Sequence, residues 1–394
     1  MDLSYFLPRT DLLVGAGVLS KLGEETAKIG KAALIVTGKS SMKRLGFLDK
    51  AVESLEKAGV SATVFSGAEP NPTLQNVKDG ASLCIENKCD VVVALGGGSS
   101  MDAAKAIAIV AGHNDIENAW DYIVGKKAAT EKTIPVIAVT STSGSGSHVT
   151  MYSVVTNREK NEKAGFGSEF MFPRKSIYDV EIAKHMPPKV TAESGFDVLA
   201  HVMEAFTNKK SNAIVDPWCI KAIKLVAANL EKAFNNGEDL EARTGMAIAD
   251  TLAGFAISAV GVNAIHPISN TLSGFYPEIA HGQALATVSQ VVMKHNIENG
   301  SDELVKRYAQ IARALGKNVS EKMNKQDALL AIEAVGELRE KIGLGKGFSE
   351  LGVSAEKFPE IAKISLKLYL GTIQSNPIKV DNEETLAKFF EESQ

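Results

Sequence analysis

Asp197 and His201 stand four residues apart in Phe196-Asp197-Val198-Leu199-Ala200-His201-Val202-Met203-Glu204, with Glu204 close by. On a helix, that spacing places both side chains on one face, one turn apart. A carboxylate oxygen and an imidazole nitrogen so arranged form half of a metal site. Phe196, Leu199, Met203 and Phe206 fall on a different stripe. A helix with an apolar face and a separate carboxylate–imidazole face is expected to be buried on both sides. Taken alone, the pair is equally compatible with a structural Asp–His contact, because a metal site needs more ligands.

Two small-residue stretches in the first half carry a second kind of chemistry. Asp90–Leu95 reads as a strand, apolar almost without break. It runs into Gly96-Gly97-Gly98-Ser99-Ser100, and Met101-Asp102-Ala103-Ala104-Lys105-Ala106 then opens a helix. Glycines let the backbone approach a pyrophosphate, and a helix N-terminus offers free N–H groups and the positive end of its dipole. Ser99 and Ser100 are expected to cap the helix or bond the phosphate, and Asp102 suits the first turn. The stretch is not GxGxxG, so a tight turn without a ligand is the alternative. The second stretch, Thr140–Thr150, has a hydroxyl or glycine at nine of eleven positions. It follows the apolar strand Ile134–Val139, which places it in a cleft at the C-terminal edge of a sheet; the alternative is a flexible linker.

The elements that position these groups change character along the chain. Ala32–Thr37, Ala62–Ser66, Asp90–Leu95 and Ile134–Val139 read as strands, with helical spacing over Leu45–Ala58 and a helix ending near Glu86. Unbroken apolar strands alternating with helices indicate a parallel sheet covered on both faces. Glu69-Pro70-Asn71-Pro72-Thr73 forms a rigid turn. From about Val190 the pattern is helical: Thr191–Asn208, Trp218–Phe234, Glu241–Val260, Gly282–His295, Asp302–Leu315, Lys325–Ile342 and Glu383–Glu392. Asp216-Pro217 reads as a helix start, with the acid as cap and Pro at the first position. With 394 residues, two domains are expected, 1–186 and 187–394, divided near His185-Met186-Pro187-Pro188.

Composition excludes several functions. Net charge is −4, so no general attraction to nucleic acid or anionic membrane is expected. No run approaches a membrane span, and the N-terminus lacks a secretory pattern. Cys84, Cys89 and Cys219 include no CxxC and are odd in number, which points to packing roles in a reducing, cytoplasmic setting.

Gly96-Gly97-Gly98-Ser99 followed by Asp102 and Lys105 resembles the GGGSxxDxAK pattern of the iron-containing (group III) alcohol dehydrogenases. Thr142–Thr150, Glu69–Thr73, Gly195–Glu204 and Ser375-Asn376-Pro377 are also similar to that family, in its order along nearly the whole chain. The resemblance implies an N-terminal α/β dinucleotide-binding domain with a parallel sheet, an all-α C-terminal metal-binding domain and a cleft between them, the dehydroquinate synthase-like fold. It implies cofactor contacts from Gly38, Lys39, Ser40, Asn71, Gly96, Gly97, Gly98, Ser99, Asp102, Ser141, Thr142, Ser145 and Ser147. NAD-preferring members often carry an acid at the Gly38 position. Glycine there, beside Lys39, Lys43 and Arg44, would not repel a 2′-phosphate, so NADP(H) is favoured over NAD(H); the alternative is a solvated run of surface charge.

Among seven histidines, His266 and His281 lie in Val260–Ala286, which resembles the family's ligand region, the first histidine preceding a helix. The implied metal ligands are Asp197, His201, His266 and His281, one oxygen and three nitrogens. Iron is what the resemblance implies, and Zn²⁺ would bind the same donors at least as tightly. Many relatives carry another histidine four residues after the first; here that position is Asn270. His148 stands where relatives usually have an acid, and is a candidate replacement proton carrier. His113, His185 and His295 are expected at the surface. The function expected is reversible hydride transfer between NADP(H) or NAD(H) and a small primary alcohol or aldehyde, in a homo-oligomer such as a dimer. The alternatives are glycerol dehydrogenase-like polyol oxidation, a dehydroquinate synthase-like lyase, which would need a basic cluster in the helical half that is not seen near Asp197, His201 or Val260–Ala286, and a non-catalytic metal-stabilised assembly protein.

Overall fold

The computed structural model describes residues 9–160 and 162–393. The chain divides into two compact units, Met1–Met186 and Pro187–Gln394. The first carries strands β1 (Asp11–Gly15), β2 (Ala32–Gly38), β3 (Ser61–Ala68), β4 (Val91–Gly96), β5 (Val136–Thr140), β6 (Tyr152–Asn157), β7 (Glu162–Gly167) and β8 (Lys175–Asp179). Its helices are α1 (Leu22–Ala27), α2 (Ser41–Arg44), α3 (Phe47–Lys57), α4 (Leu74–Glu86), α5 (Gly98–Gly112), α6 (Ala119–Ile123) and α7 (Val180–Ala183).

Six strands form one sheet in the order β1-β8-β5-β4-β2-β3, every pair parallel. Alternate residues of the central strands feed two cores. Leu34, Val36, Val92, Ala94, Val136 and Ala138 pack with α4 and α5; Ala33, Ile35, Val91, Val93, Leu95, Ile137 and Val139 pack with α3. Both faces are covered, which is why these strands read as unbroken apolar runs. From β2 the chain crosses to β3 on one side and to β4 on the other. The C-terminal edge between β2 and β4 is therefore the switch point where α/β folds bind ligands.

Two sheet strands and a hairpin escape the sequence pattern. β1 and β8 extend one side of the sheet, and β6 pairs with β7 antiparallel. Along β6 the buried positions are Ser153, Val155 and Asn157, whereas Tyr152, Val154 and Thr156 are half-buried. The inward face is mostly polar, so no apolar alternation marks the strand.

The second unit comprises α8 (Pro188–Thr207), α9 (Asp216–Asn235), α10 (Leu240–Val260), α11 (Ile265–Phe275), α12 (His281–Asn299), α13 (Asp302–Ala314), α14 (Lys325–Lys341), α15 (Phe358–Ile373) and α16 (Glu383–Glu392). They share one core, to which α8 contributes Phe196, Leu199, Met203 and Phe206. Asp197, His201 and Glu204 on the same helix are also buried, so α8 is enclosed on both stripes. α15 is additional to the helices expected, and α11 is the helix expected beside His266.

Three local expectations are corrected. Asp216 is the first residue of α9, not its cap; its carboxylate takes Ser211 Oγ at 2.5 Å and Arg307 at 3.0 Å. His113 and His295 are half-buried rather than exposed, the first bonded to Ile109 O and Thr130 Oγ1 and the second edge-on to Phe389. His266 lies inside the first turn of α11, not before it. The three cysteines are buried free thiols.

Candidate metal centre and cofactor loops

Three helices of the second unit assemble the imidazole cluster. α8 presents Asp197 and His201, the first turn of α11 presents His266, and His281 opens α12. One donor atom from each of Asp197, His201 and His266 lies within 4.8 Å of the others, and all three residues are buried. Asp197 Oδ1 is 3.1 Å from His266 Nε2, 3.6 Å from His201 Nδ1 and 3.9 Å from His281 Nε2. The His201 and His266 rings stack at 4.2 Å. The His281 side chain keeps 35% of its surface, so the cluster opens toward solvent on that side.

On two of the rings, His266 and His281, the protein holds the other nitrogen. Glu204 Oε2 accepts from His266 Nδ1, and Ser269 Oγ bonds His281 Nδ1 at 3.0 Å. Each contact turns Nε2 of its ring toward Asp197, the usual way a protein orients an imidazole ligand. Burial would raise the Asp197 carboxyl, but positive charge at His201 and the hydrogen bond from His266 bring it down to about 2. Burial would lower His266, but Glu204 and Asp197 push it up to about 10. The cluster thus favours positive charge at its centre. A divalent cation taking one carboxylate oxygen and neutral imidazole nitrogens fits the same donors.

In the first unit, three loops leave neighbouring strands side by side. Thr37 pairs with Leu95 and Gly96 with Thr140, so the loops after β2, β4 and β5 emerge together at the switch point. Gly97 is the cap of α5, and the helix starts at Gly98, three residues earlier than expected. Ser99 and Ser100 therefore sit within the first turn and do not cap it. The glycines allow close approach of the two loops. A Cβ on Gly97 would lie 3.1 Å from Thr142 Cγ2, and one on Gly98 would lie 3.0 Å from Ser145 Oγ. Ser141 N donates to Gly96 O at 2.9 Å. Residues 140–150 are mostly buried, which excludes the flexible-linker alternative.

Asp102 and Ser147 bond within the protein. Asp102 accepts from Ser147 Oγ at 2.9 Å and from Val154 N at 3.1 Å. Lys105, 1% exposed, donates to Ser147 O at 2.6 Å, Ser147 Oγ at 2.8 Å and Tyr152 O at 2.8 Å. Helix α5 is thereby clasped to the second loop and to β6, a positioning role for Asp102 and Ser147. Burial lowers Lys105 from its ordinary 10.5 to about 7. Between those values the unfolded chain binds a proton that the folded lysine has released, so this group makes stability rise with pH, by up to about 1.4 kcal/mol per unit. Lys105→Met is expected to lower stability and to remove that rise. Urea unfolding at pH 7 and pH 9 measures it; an equal slope in both proteins contradicts the assignment.

His148 is 1% exposed, with its ring edge-on to Tyr178. Burial and then the charge of Lys105 hold it down to about 3. Burial therefore disfavours the protonated form of this ring. Asn270 lies one turn beyond His266 on α11, half-buried.

Around the first βα turn, Gly38 ends β2, and Lys39 and Ser40 are exposed. Lys39 Nζ pairs with Glu69 Oε1 at 2.8 Å, and Arg158 pairs with the other oxygen at 2.9 Å. Asn71, at φ 54°, accepts from Lys163 Nζ at 3.0 Å, and burial lowers the Lys163 ammonium. Lys163 was invisible in the sequence because its hairpin was. Ser269 and Lys105 were also missed as positioning groups. The signals available were their helical spacings from His266 and Asp102, each three residues.

Comparison with known proteins agrees with this geometry. The family described as Iron-containing alcohol dehydrogenase matches residues 9–180, and Fe-containing alcohol dehydrogenase family, C-terminal, matches residues 191–392. The crystal structure of an archaeal, halo-thermophilic alcohol dehydrogenase from a Red Sea brine pool is 46% identical, with a TM-score of 0.95 over 100% of this chain and 99% of that one. The NADPH-dependent butanol dehydrogenase of Clostridium saccharobutylicum is 33% identical over 98% of this chain and 97% of its own. The NADH-dependent butanol dehydrogenase A of Clostridium acetobutylicum is 30% identical over 100% of both. The chain belongs to the iron-containing alcohol dehydrogenase family.

Proposed function

We propose that the protein interconverts a small primary alcohol and its aldehyde with NADP(H), using a divalent metal held by Asp197, His201, His266 and His281. The convergence of one carboxylate and three imidazoles on a partly open, otherwise buried point carries this reading. Iron is the metal the family name supports; the donors also suit Zn²⁺. A bound divalent metal supplies Lewis acidity to the substrate oxygen. The protein's own part is to hold the reactants. The N-terminus of α5 and the backbone of Gly96–Gly98 receive the pyrophosphate, and Lys105 keeps the second loop packed against them.

Coenzyme choice rests on the first βα turn. A side chain at Gly38 would have room, its Cβ 3.7 Å from Ala68 O, yet the position carries no acid. Lys39 lies beside it, and its ion pair with Glu69 must open for the ammonium to reach a 2′-phosphate. Surface pairs of this kind are weak, weaker than a charge-assisted bond to phosphate. We expect kcat/KM for NADPH to exceed that for NADH by about tenfold, or roughly 1.4 kcal/mol, in butyraldehyde reduction. A preference for NADH sinks the coenzyme assignment, and no turnover with either coenzyme sinks the proposed reaction.

A further inference from the structure

We propose that Glu204 is a positioning residue that sets the metal affinity of the centre by orienting His266. The inference rests on the metal-centre reading above. Glu204 is 1% exposed, and the two oxygens of its carboxylate do different work. Oε2 accepts from His266 Nδ1. Oε1 accepts from the backbone N–H groups of Asn263 at 2.9 Å and Ile265 at 2.8 Å, with that of His266 at 3.4 Å. The same side chain therefore anchors the entry to α11 and fixes the ring that α11 delivers.

The acid is not itself one of the converging donors. Asp197, His201 and His266 form that group, and Glu204 touches His266 on the opposite nitrogen, Nδ1. A carboxylate there directs Nε2 inward and makes the imidazole a stronger donor. Helical spacing brings this about. Glu204 follows His201 by three residues and Asp197 by seven, so one buried face of α8 carries two ligands and the group that aims a third. The anchoring of α11 has separate support. Asn263 Nδ2 donates to Glu204 O at 3.1 Å and to Thr207 Oγ1 at 3.2 Å.

These two roles predict different outcomes. In Glu204→Gln the amide oxygen can keep the backbone N–H groups, while the charge beside Nδ1 is lost and an amide N–H faces the ring. Asn263→Ala removes side-chain bonds of the turn and leaves the Glu204–His266 contact. The measurement is Co²⁺ affinity of the metal-free full-length protein, by competition with a chromogenic chelator, together with the visible spectrum of the bound Co²⁺. Glu204→Gln is expected to weaken Co²⁺ binding by about 10–100-fold and to change the spectrum, while Asn263→Ala stays within about threefold of wild type. If Glu204→Gln does not fold, Glu204→Asp, which draws the charge back from Nδ1, is read in the same way with the same expected direction. Wild-type affinity and an unchanged spectrum in the Glu204 variant overturn the inference, as does an equal loss in Asn263→Ala. If the wild-type protein itself binds no Co²⁺, the metal-centre reading fails, a result distinct from either of these.

Discussion

Asp197→Ala is expected to abolish metal binding and to lower kcat/KM for alcohol oxidation by a factor on the order of 10³, or about 4 kcal/mol. Asp197 is the one carboxylate among the converging donors, and its Oδ1 lies within 4 Å of nitrogens on all three histidines. Without it, the three imidazoles offer a cation no negatively charged donor atom, because Glu204 stands behind His266 and not among the converging donors. Chelation of the wild-type protein is expected to reproduce the loss, and added metal to reverse it in wild type but not in the variant. Thermal unfolding gives an independent readout. Metal at 100 times its Kd stabilises the folded state by about 2.7 kcal/mol; wild type is expected to show that shift and Asp197→Ala none. Metal-dependent turnover retained by Asp197→Ala, or full activity in a metal-free wild-type preparation, contradicts the assignment.

Gly282→Ala is expected to damage the same centre without touching a ligand. A Cβ on Gly282 would lie 2.1 Å from Glu193 O and 2.5 Å from Glu193 C, both backbone atoms of α8. No side-chain rotation relieves that contact, so the start of α12 must move away from α8 and carry His281 with it. The destabilisation is expected to be about 3 kcal/mol, a fall in Tm of roughly 6–12 °C for a unit of this size, with weakened metal binding. Gly274→Ala serves as control. That position is exposed in α11, has no atom within 4 Å of the added Cβ, and should gain about 0.5–1 kcal/mol from reduced backbone freedom in the unfolded chain. A Gly282→Ala protein with wild-type Tm would show that the two helices are not held as tightly as this packing requires.

Much of the framework was legible because its signals are local. Ala32–Gly38, Val91–Gly96 and Val136–Thr140 are apolar at nearly every position, and only a strand covered on both faces needs that. The helices of the second half carried ordinary 3.6-residue patterns. Elements failed to show where burial and polarity parted company. β6 turns Ser153 and Asn157 inward. The glycine loop lies where the sequence places it, but its helix begins at Gly98 and not at Met101. Gly98 and Ser99 are poor helix formers, so propensity does not mark them as the first residues of α5.

By itself the sequence determined what the 3.6-residue period determines: Asp197, His201 and Glu204 share one face of one helix, and three glycines end a buried strand. It also determined, through motifs in family order, that this is an iron-type alcohol dehydrogenase chain. Tertiary structure alone decided what those groups meet. His266 and His281 reach Asp197 across 69 and 84 positions of sequence, a closure no local pattern encodes. It decided that Glu204 lies behind His266 and that His148 is buried edge-on to Tyr178. It also decided that Lys105 is a buried clasp. Periodicity specifies the direction in which a side chain leaves its own helix; which donors, charges and walls stand opposite depends on how separate helices pack.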